Sequence, residues 1–213
     1  MKWEGIVKIM VNKLAIIIII VGIALIGIGG FQYFKTKEEQ KNTLEEAYKI
    51  LEDHNQQTIN HPNENHNIET QIKENKEFNP FHGETVGILE IPKLKAELPI
   101  VEGTSDEDLE KGVGHYKGTA YPTEGDQIVL SGHRDTVFRR MGELEIGDVF
   151  IVKLPYGSFE YKIESTKIVD ADDRTIIKTT APNEELVVTT CYPFTFVGTA
   201  PERYILTAKP VLE

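Results

Sequence analysis

Four patterns of apolar and polar positions follow one another along the chain. Residues 14–31 are eighteen consecutive positions without a charge, mostly Ile, Val, Leu, Ala and Gly. As a helix rising about 1.5 Å per residue the run is roughly 27 Å long, close to the ~30 Å hydrocarbon core of a bilayer, and it reads as a membrane anchor. It is long for a secretory h-region, and G-I-G-G-F runs straight into bulky and charged residues with no A-x-A-like site, so the anchor is expected to stay uncleaved. Leu44, Ala47, Tyr48 and Leu51 then keep the i, i+3, i+4, i+7 spacing of a short amphipathic helix over 38–53, read as a spacer. Residues 54–79 are rich in Asn, Gln, His, Glu and Lys and poor in large apolar side chains; such a stretch cannot offset the entropy of ordering and is expected to be a flexible tether.

From residue 83 onward short β-prone runs alternate with turn residues, at 86–91, 97–101, 127–130, 149–154, 159–169, 185–190 and 204–208. Seven or eight strands in such a length predict an all-β barrel or sandwich. Pro92 and Pro99 sit at strand ends, where a missing donor does least harm. T-S-D-E at 104–107 has capping-box spacing and predicts one short helix before Gly112. A second helical turn is expected over 137–141, with Asp135 as its N-cap. The organisation expected is a short inner segment 1–13, a span 14–31, a stalk and linker 32–80, and a folded domain 81–213.

Charge sharpens this picture. Nine of the eleven excess negative charges fall in residues 81–213, and an acidic domain is a poor phosphate binder, which argues against nucleic acid. Lys2, Lys8 and Lys13 precede the span and Lys35 and Lys37 follow it, so the positive-inside rule favours an inner N-terminus and an extracytoplasmic domain. A single cysteine cannot form an internal disulfide.

That cysteine is the candidate for chemistry. Residues 186–206 read L-V-V-T-T-C-Y-P-F-T-F-V-G-T-A-P-E-R-Y-I-L, two β-prone runs around a loop carrying Pro193, Gly198 and Pro201. If the runs pair antiparallel, a register that sets Cys191 against Arg203 puts a thiol beside a guanidinium, which would favour the thiolate and later neutralise an oxyanion. A thiol nucleophile also needs a proton-transfer partner. Outside the tether the histidines are His82, His115 and His133. His133 follows a buried run at a strand end and His115 follows the short helix; spacing alone does not choose between them. Asp135 invites a triad with His133, but its place before a helical turn favours the cap. The string H-R-D also occurs in kinase catalytic loops, yet Arg140 stands where that motif needs Asn and no D-F-G is present. Papain-type and caspase-type cysteine motifs are absent, and His54, His61 and His66 have no metal-ligand spacing, so neither metal nor cofactor is expected. On the residues alone, a cysteine hydrolase and a non-catalytic surface scaffold with a buried Cys191 remain open.

The strings G-I-L-E-I-P-K-L, L-P-I-V-E-G-T, G-V-G-H-Y, L-S-G-H-R-D-T-V-F-R-R-M-G-E-L, T-T-C-Y-P-F and A-P-E-R-Y occur in this order over residues 84–208. Together they resemble the sortase family, most closely class D. The resemblance implies a closed β-barrel of seven to eight strands with one or two short helices, held outside the membrane of a Gram-positive bacterium. It implies a cysteine transpeptidase that cleaves an LPxT-like sorting signal in secreted proteins and passes the acyl group to a peptidoglycan amine. His133, Cys191 and Arg203 carry over as the catalytic set. Thr190 matches the threonine of the family's T-L-x-T-C and is expected at the substrate end, with His115 near the site. The T-L of that motif is Val187-Val188 here.

Overall fold

A computed structural model describes residues 2–60, 78–196 and 198–211. The chain divides into two compact units, Met1–Glu39 and Gln40–Glu213. Helix α1, Lys2–Asn60, runs through the boundary. In the first unit its apolar side chains are exposed on every side, among them Leu14, Ile16, Ile17, Ile18, Ile19 and Ile20. A helix face that is apolar all round suits lipid, and α1 holds a segment long and apolar enough to cross a membrane.

In the second unit the eight strands close into one barrel in the order β1-β2-β3-β4-β7-β8-β6-β5. They are β1 Thr85–Ile91, β2 Ala96–Glu102, β3 Val113–His115, β4 Gln127–Gly132, β5 Val149–Leu154, β6 Gly157–Asp170, β7 Glu185–Tyr192 and β8 Glu202–Pro210. Every expected strand is present. The one not anticipated is β3, which pairs parallel with β2 and antiparallel with β4. It is too short to show a period, and its centre is Gly114, where an added Cβ would stand 2.3 Å from the Gly103 carbonyl oxygen. Glycine there lets two backbones approach, a requirement that weakens any strand signal.

The short helix α2, Asp106–Lys111, forms where expected, but its capping box is one residue later than T-S-D-E suggests: the Ser105 hydroxyl accepts from the Asp108 N–H, and the Asp108 carboxylate accepts from the Ser105 N–H. The second helical turn is a run of turns from 134 to 140 ending in a 3-10 helix, Met141–Glu143. Asp135 caps nothing there. Its carboxylate is exposed and its backbone carbonyl instead accepts from Arg139 Nε and Nη2.

The spacer reading of α1 also changes. Within the second unit Thr43 and Ala47 are buried, while Tyr48 of the expected stripe is exposed. Gln40 Nε2 donates to the Glu110 carbonyl of α2, Thr85 of β1 donates to Glu46, and Tyr48 donates to Glu97 of β2. Small residues let the helix approach the barrel closely, and polar groups at its rim make the bonds, so the largest apolar side chains do not mark the docked face. The helix continues to Asn60, into the expected tether, whose remainder at 61–77, with His61 and His66, lies outside the described residues.

Period two divides the strands between two apolar clusters. Ile128 and Leu130 of β4, Leu186 and Val188 of β7 and Leu206 and Ala208 of β8 point into the barrel. Val129, Val187 and Ile205 face outward with Val169 of β6 and form a smaller cluster, against which Tyr116 and Ile176 pack. Ile176 belongs to the β6–β7 connection, and that connection is tied down by Asp126. Its carboxylate accepts from the backbone N–H groups of Thr180 and Ala181 and from the Thr179 hydroxyl. The N–H donors of Thr180 and Gln127, then the Thr179 hydroxyl, hold the Asp126 carboxyl down at about 2.

A carboxyl depressed in the folded state contributes stability above its unfolded value near 3.9, and that contribution fades as pH falls toward 2. Asp126→Asn is therefore expected to lower the melting temperature at neutral pH and to flatten its decline between about pH 4 and pH 2. Thermal melts across that range test this; a variant whose melting temperature declines in parallel with the wild type would remove Asp126 from the loop's anchorage.

Candidate active site

Two strand pairings converge on the end of β7. The antiparallel β7–β8 ladder sets Cys191 directly opposite Arg203, the register proposed from the hairpin pattern. The parallel β4–β7 ladder ends at Gly132 opposite Thr190, so His133 and Cys191 leave adjacent strands side by side. Neighbouring strands lie about 4.8 Å apart. Cys191 thus stands between the strand that delivers a histidine and the strand that delivers an arginine. By parity with Val187 and Ile205, Cys191 and Arg203 share the outer face that carries the small apolar cluster.

Local structure fixes each part. The Thr190 hydroxyl, buried at 3 %, donates to the Gly132 carbonyl at 2.7 Å and locks the β4–β7 register one residue before the thiol. Thr190 has the parity of Leu186 and Val188, so its side chain lies on the face opposite Cys191. It holds the site's frame, where substrate contact was expected. Gly132 has no room for a Cβ, which would lie 2.6 Å from the Phe138 ring. Phe138 is fully buried and donates its N–H to the His133 carbonyl, so the turn after His133 folds back onto the core. Tyr192, Phe194 and Tyr204 pack ring against ring at 5.4 to 6.1 Å and brace the hairpin beside the thiol.

Cys191 is a free thiol and, like His133 and Arg203, half-buried. Such exposure suits a nucleophile that must meet substrate without being flooded by water. Arg203 Nη1 donates to the Ala200 and Glu202 carbonyls at 3.2 and 2.9 Å. Among the described residues it pairs with no carboxylate, so its charge stays available to an oxyanion. No described carboxylate bonds His133 either, and exposed Asp135 is not its triad partner.

His115 does not join this group. It is 1 % exposed, with Nδ1 at 2.6 Å from Glu102 Oε2 and Nε2 at 3.0 Å from the Ala120 carbonyl, and its ring stacks on Tyr121 with centroids 4.0 Å apart. Tyr121 donates its hydroxyl to the same Glu102 oxygen. Burial alone would push the Glu102 carboxyl up; the hydrogen bonds from His115 and Tyr121 outweigh it and hold the carboxyl below its ordinary value. Both His115 ring nitrogens are engaged inside the domain, so the residue is a buried structural partner. Breaking such a buried pair by removing one member is costly: Glu102→Ala is expected to destabilise the domain by about 3 kcal/mol in urea unfolding while Cys191 alkylation by iodoacetamide in the native state is unchanged. A loss below about 1 kcal/mol would contradict this assignment.

Sequence patterns did not point to Arg134. Its Nη2 donates to the carbonyls of Phe196 at 2.6 Å and Gly198 at 2.8 Å, joining the His133 turn to the β7–β8 loop. Its partners are main-chain atoms more than sixty residues downstream, which no local pattern marks. The one signal was its place immediately after His133 in H-R-D.

The fold agrees with known proteins. A sortase-domain family profile matches residues 89–211. Sortase D of Bacillus subtilis is 51% identical over 202 residues, covering 95% of this chain and all of that protein. Among solved structures, a Clostridium perfringens sortase D5 transpeptidase superposes with a TM-score of 0.63 at 24% identity, over 82% of this chain and 99% of that one. Sortase C-1 of Actinomyces oris superposes with a TM-score of 0.55 at 28% identity, over 61% of this chain and 76% of that one.

Proposed function

The chain belongs to the sortase family, class D, and is a cysteine transpeptidase acting on sorting signals; from that premise we propose that Cys191, His133 and Arg203 are its catalytic set. The observation that carries this reading is the register that puts Cys191 opposite Arg203 and one step beyond the Gly132–Thr190 pair.

In the first half-reaction the Cys191 thiolate attacks the carbonyl carbon of the threonine in an LPxT-like signal. The negative charge passes to the carbonyl oxygen, where the Arg203 guanidinium neutralises it. As the tetrahedral intermediate collapses, the C–N bond breaks and His133, as imidazolium, protonates the departing amine. A thioester on Cys191 remains. In the second half-reaction an amine of the peptidoglycan precursor or cross-bridge attacks that thioester, His133 accepts its proton, and the thiolate leaves. The acyl group ends in a new amide bond.

The apolar segment of α1 suits this task as a membrane anchor. Its flanking lysines favour an inner segment at 1–13, a single span at 14–31 and an extracytoplasmic catalytic domain over 81–213, preceded by 32–80, of which the part from Gln40 packs on the barrel. Both reactants then lie near the outer membrane surface.

Incubating residues 40–213 with a panel of LPxT-type peptides and hydroxylamine tests the reading. The expected product is the hydroxamate of the fragment ending in threonine. Intact peptides would refute cleavage, and free acid formed regardless of amine would make the enzyme a hydrolase.

A further inference from the structure

The charged residue after His133 has no part in the mechanism above, yet it is the structural link between the two halves of the site. Arg134 leaves the end of β4, and its Nη2 is shared between the Phe196 and Gly198 carbonyls of the loop joining Cys191 to Arg203. The Phe196 ring lies 5.9 Å from the guanidinium, within cation–π range. Other described backbone bonds in this loop are few: the Phe196 N–H reaches back to the Pro193 carbonyl, and the Pro201 carbonyl accepts from Ala171. One guanidinium therefore sets the distance between the turn after His133 and the loop beyond Cys191.

The way Arg134 is held argues against a role in stability alone. Its partners are carbonyls, and among the described residues no carboxylate pairs with it. Its Nη1 is buried without a partner, as is the Thr136 hydroxyl two residues on, and these are the two such side-chain atoms among the described residues. Unsatisfied buried polar atoms are uncommon in folded proteins, and here both fall in the turn that follows the candidate general acid. A side chain selected for stability would be neutralised or replaced by an apolar one.

We infer that Arg134 is a positioning residue for the acyl donor: by clamping the Phe196 and Gly198 carbonyls it fixes the loop wall along which the sorting signal reaches Cys191. The inference rests on the transpeptidase reading for its substrate. The clamp acts on the peptide's fit and leaves the thiol's own reactivity alone. Lysine, with a flexible point charge, can reach the carbonyls without holding both in the planar geometry, so it should restore part of the function.

The test uses the full chain in detergent micelles with Arg134→Ala and Arg134→Lys. Amide hydrogen exchange over 194–200 is expected to speed up about tenfold or more in Arg134→Ala and less in Arg134→Lys. With an LPxT-type peptide, KM should rise about tenfold or more in Arg134→Ala with a smaller change in kcat, and Arg134→Lys should fall between Arg134→Ala and wild type. Alkylation of Cys191 by iodoacetamide should stay within about twofold of wild type in both. Unchanged loop exchange, an unchanged KM, or alkylation that slows by as much as KM rises would each overturn the inference. A wild type that leaves the peptide intact would instead refute the transpeptidase reading, and the exchange measurement would still decide whether Arg134 clamps the loop.

Discussion

Cys191→Ala is expected to abolish amide transfer, with a fall in kcat/KM on the order of 10³-fold or more. The magnitude follows from what is lost. The thioester splits acyl transfer into two steps, and neither Arg203 nor His133 offers a substitute nucleophile, so the residual rate is that of water or amine attacking an unactivated amide. The substitution should leave the fold intact. Cys191 is half-buried at the end of β7, and the register around it is held by the Thr190 hydroxyl on Gly132 and by the ladder to β8. A melting temperature close to wild type together with absent turnover is the expected pair of results. Turnover equal to wild type would mean the nucleophile lies elsewhere.

Arg203→Lys is expected to lower kcat by roughly 10²- to 10³-fold with little change in KM, the effect of losing an oxyanion donor. Lysine keeps the positive charge, so a purely long-range electrostatic role would survive the exchange. The planar fork does not survive it. Arg203 spends Nη1 on the Ala200 and Glu202 carbonyls, which orients the guanidinium and leaves its other N–H groups for the oxyanion. An ammonium on a flexible stem cannot hold both carbonyls and meet a developing charge in one geometry. Turnover within about threefold of wild type would remove Arg203 from the chemistry.

The parts of this account that sequence could reach are those carried by local pattern. β-prone runs between turn residues mark seven of the eight strands, and the hairpin around Cys191 suggests a register to Arg203 that the β7–β8 ladder then shows. The pairing that brings in His133 is of another kind. It joins β4 to β7 in parallel across 58 residues at Gly132 and Thr190, and parallel pairing leaves no turn between its strands to be read. For that reason residue types alone left His115 and His133 equivalent, and the family resemblance separated them. Burial then gave the physical difference: His115 is locked between Glu102 and Ala120 inside the domain. The expected stripe of α1 caught Ala47 of the docked face but missed Thr43, a polar residue whose small size matters more there than hydrophobicity.

The central claim, that Cys191 carries the acyl group between donor and acceptor, is tested most directly by trapping that state. The enzyme is mixed with an LPxT-type peptide without amine, quenched in acid and digested, and its peptides are mapped by mass spectrometry. The account predicts a thioester to the threonine-terminated fragment on the peptide containing Cys191, discharged when hydroxylamine is added. An acyl group on any other residue, or peptide turnover with Cys191 never modified, would contradict it.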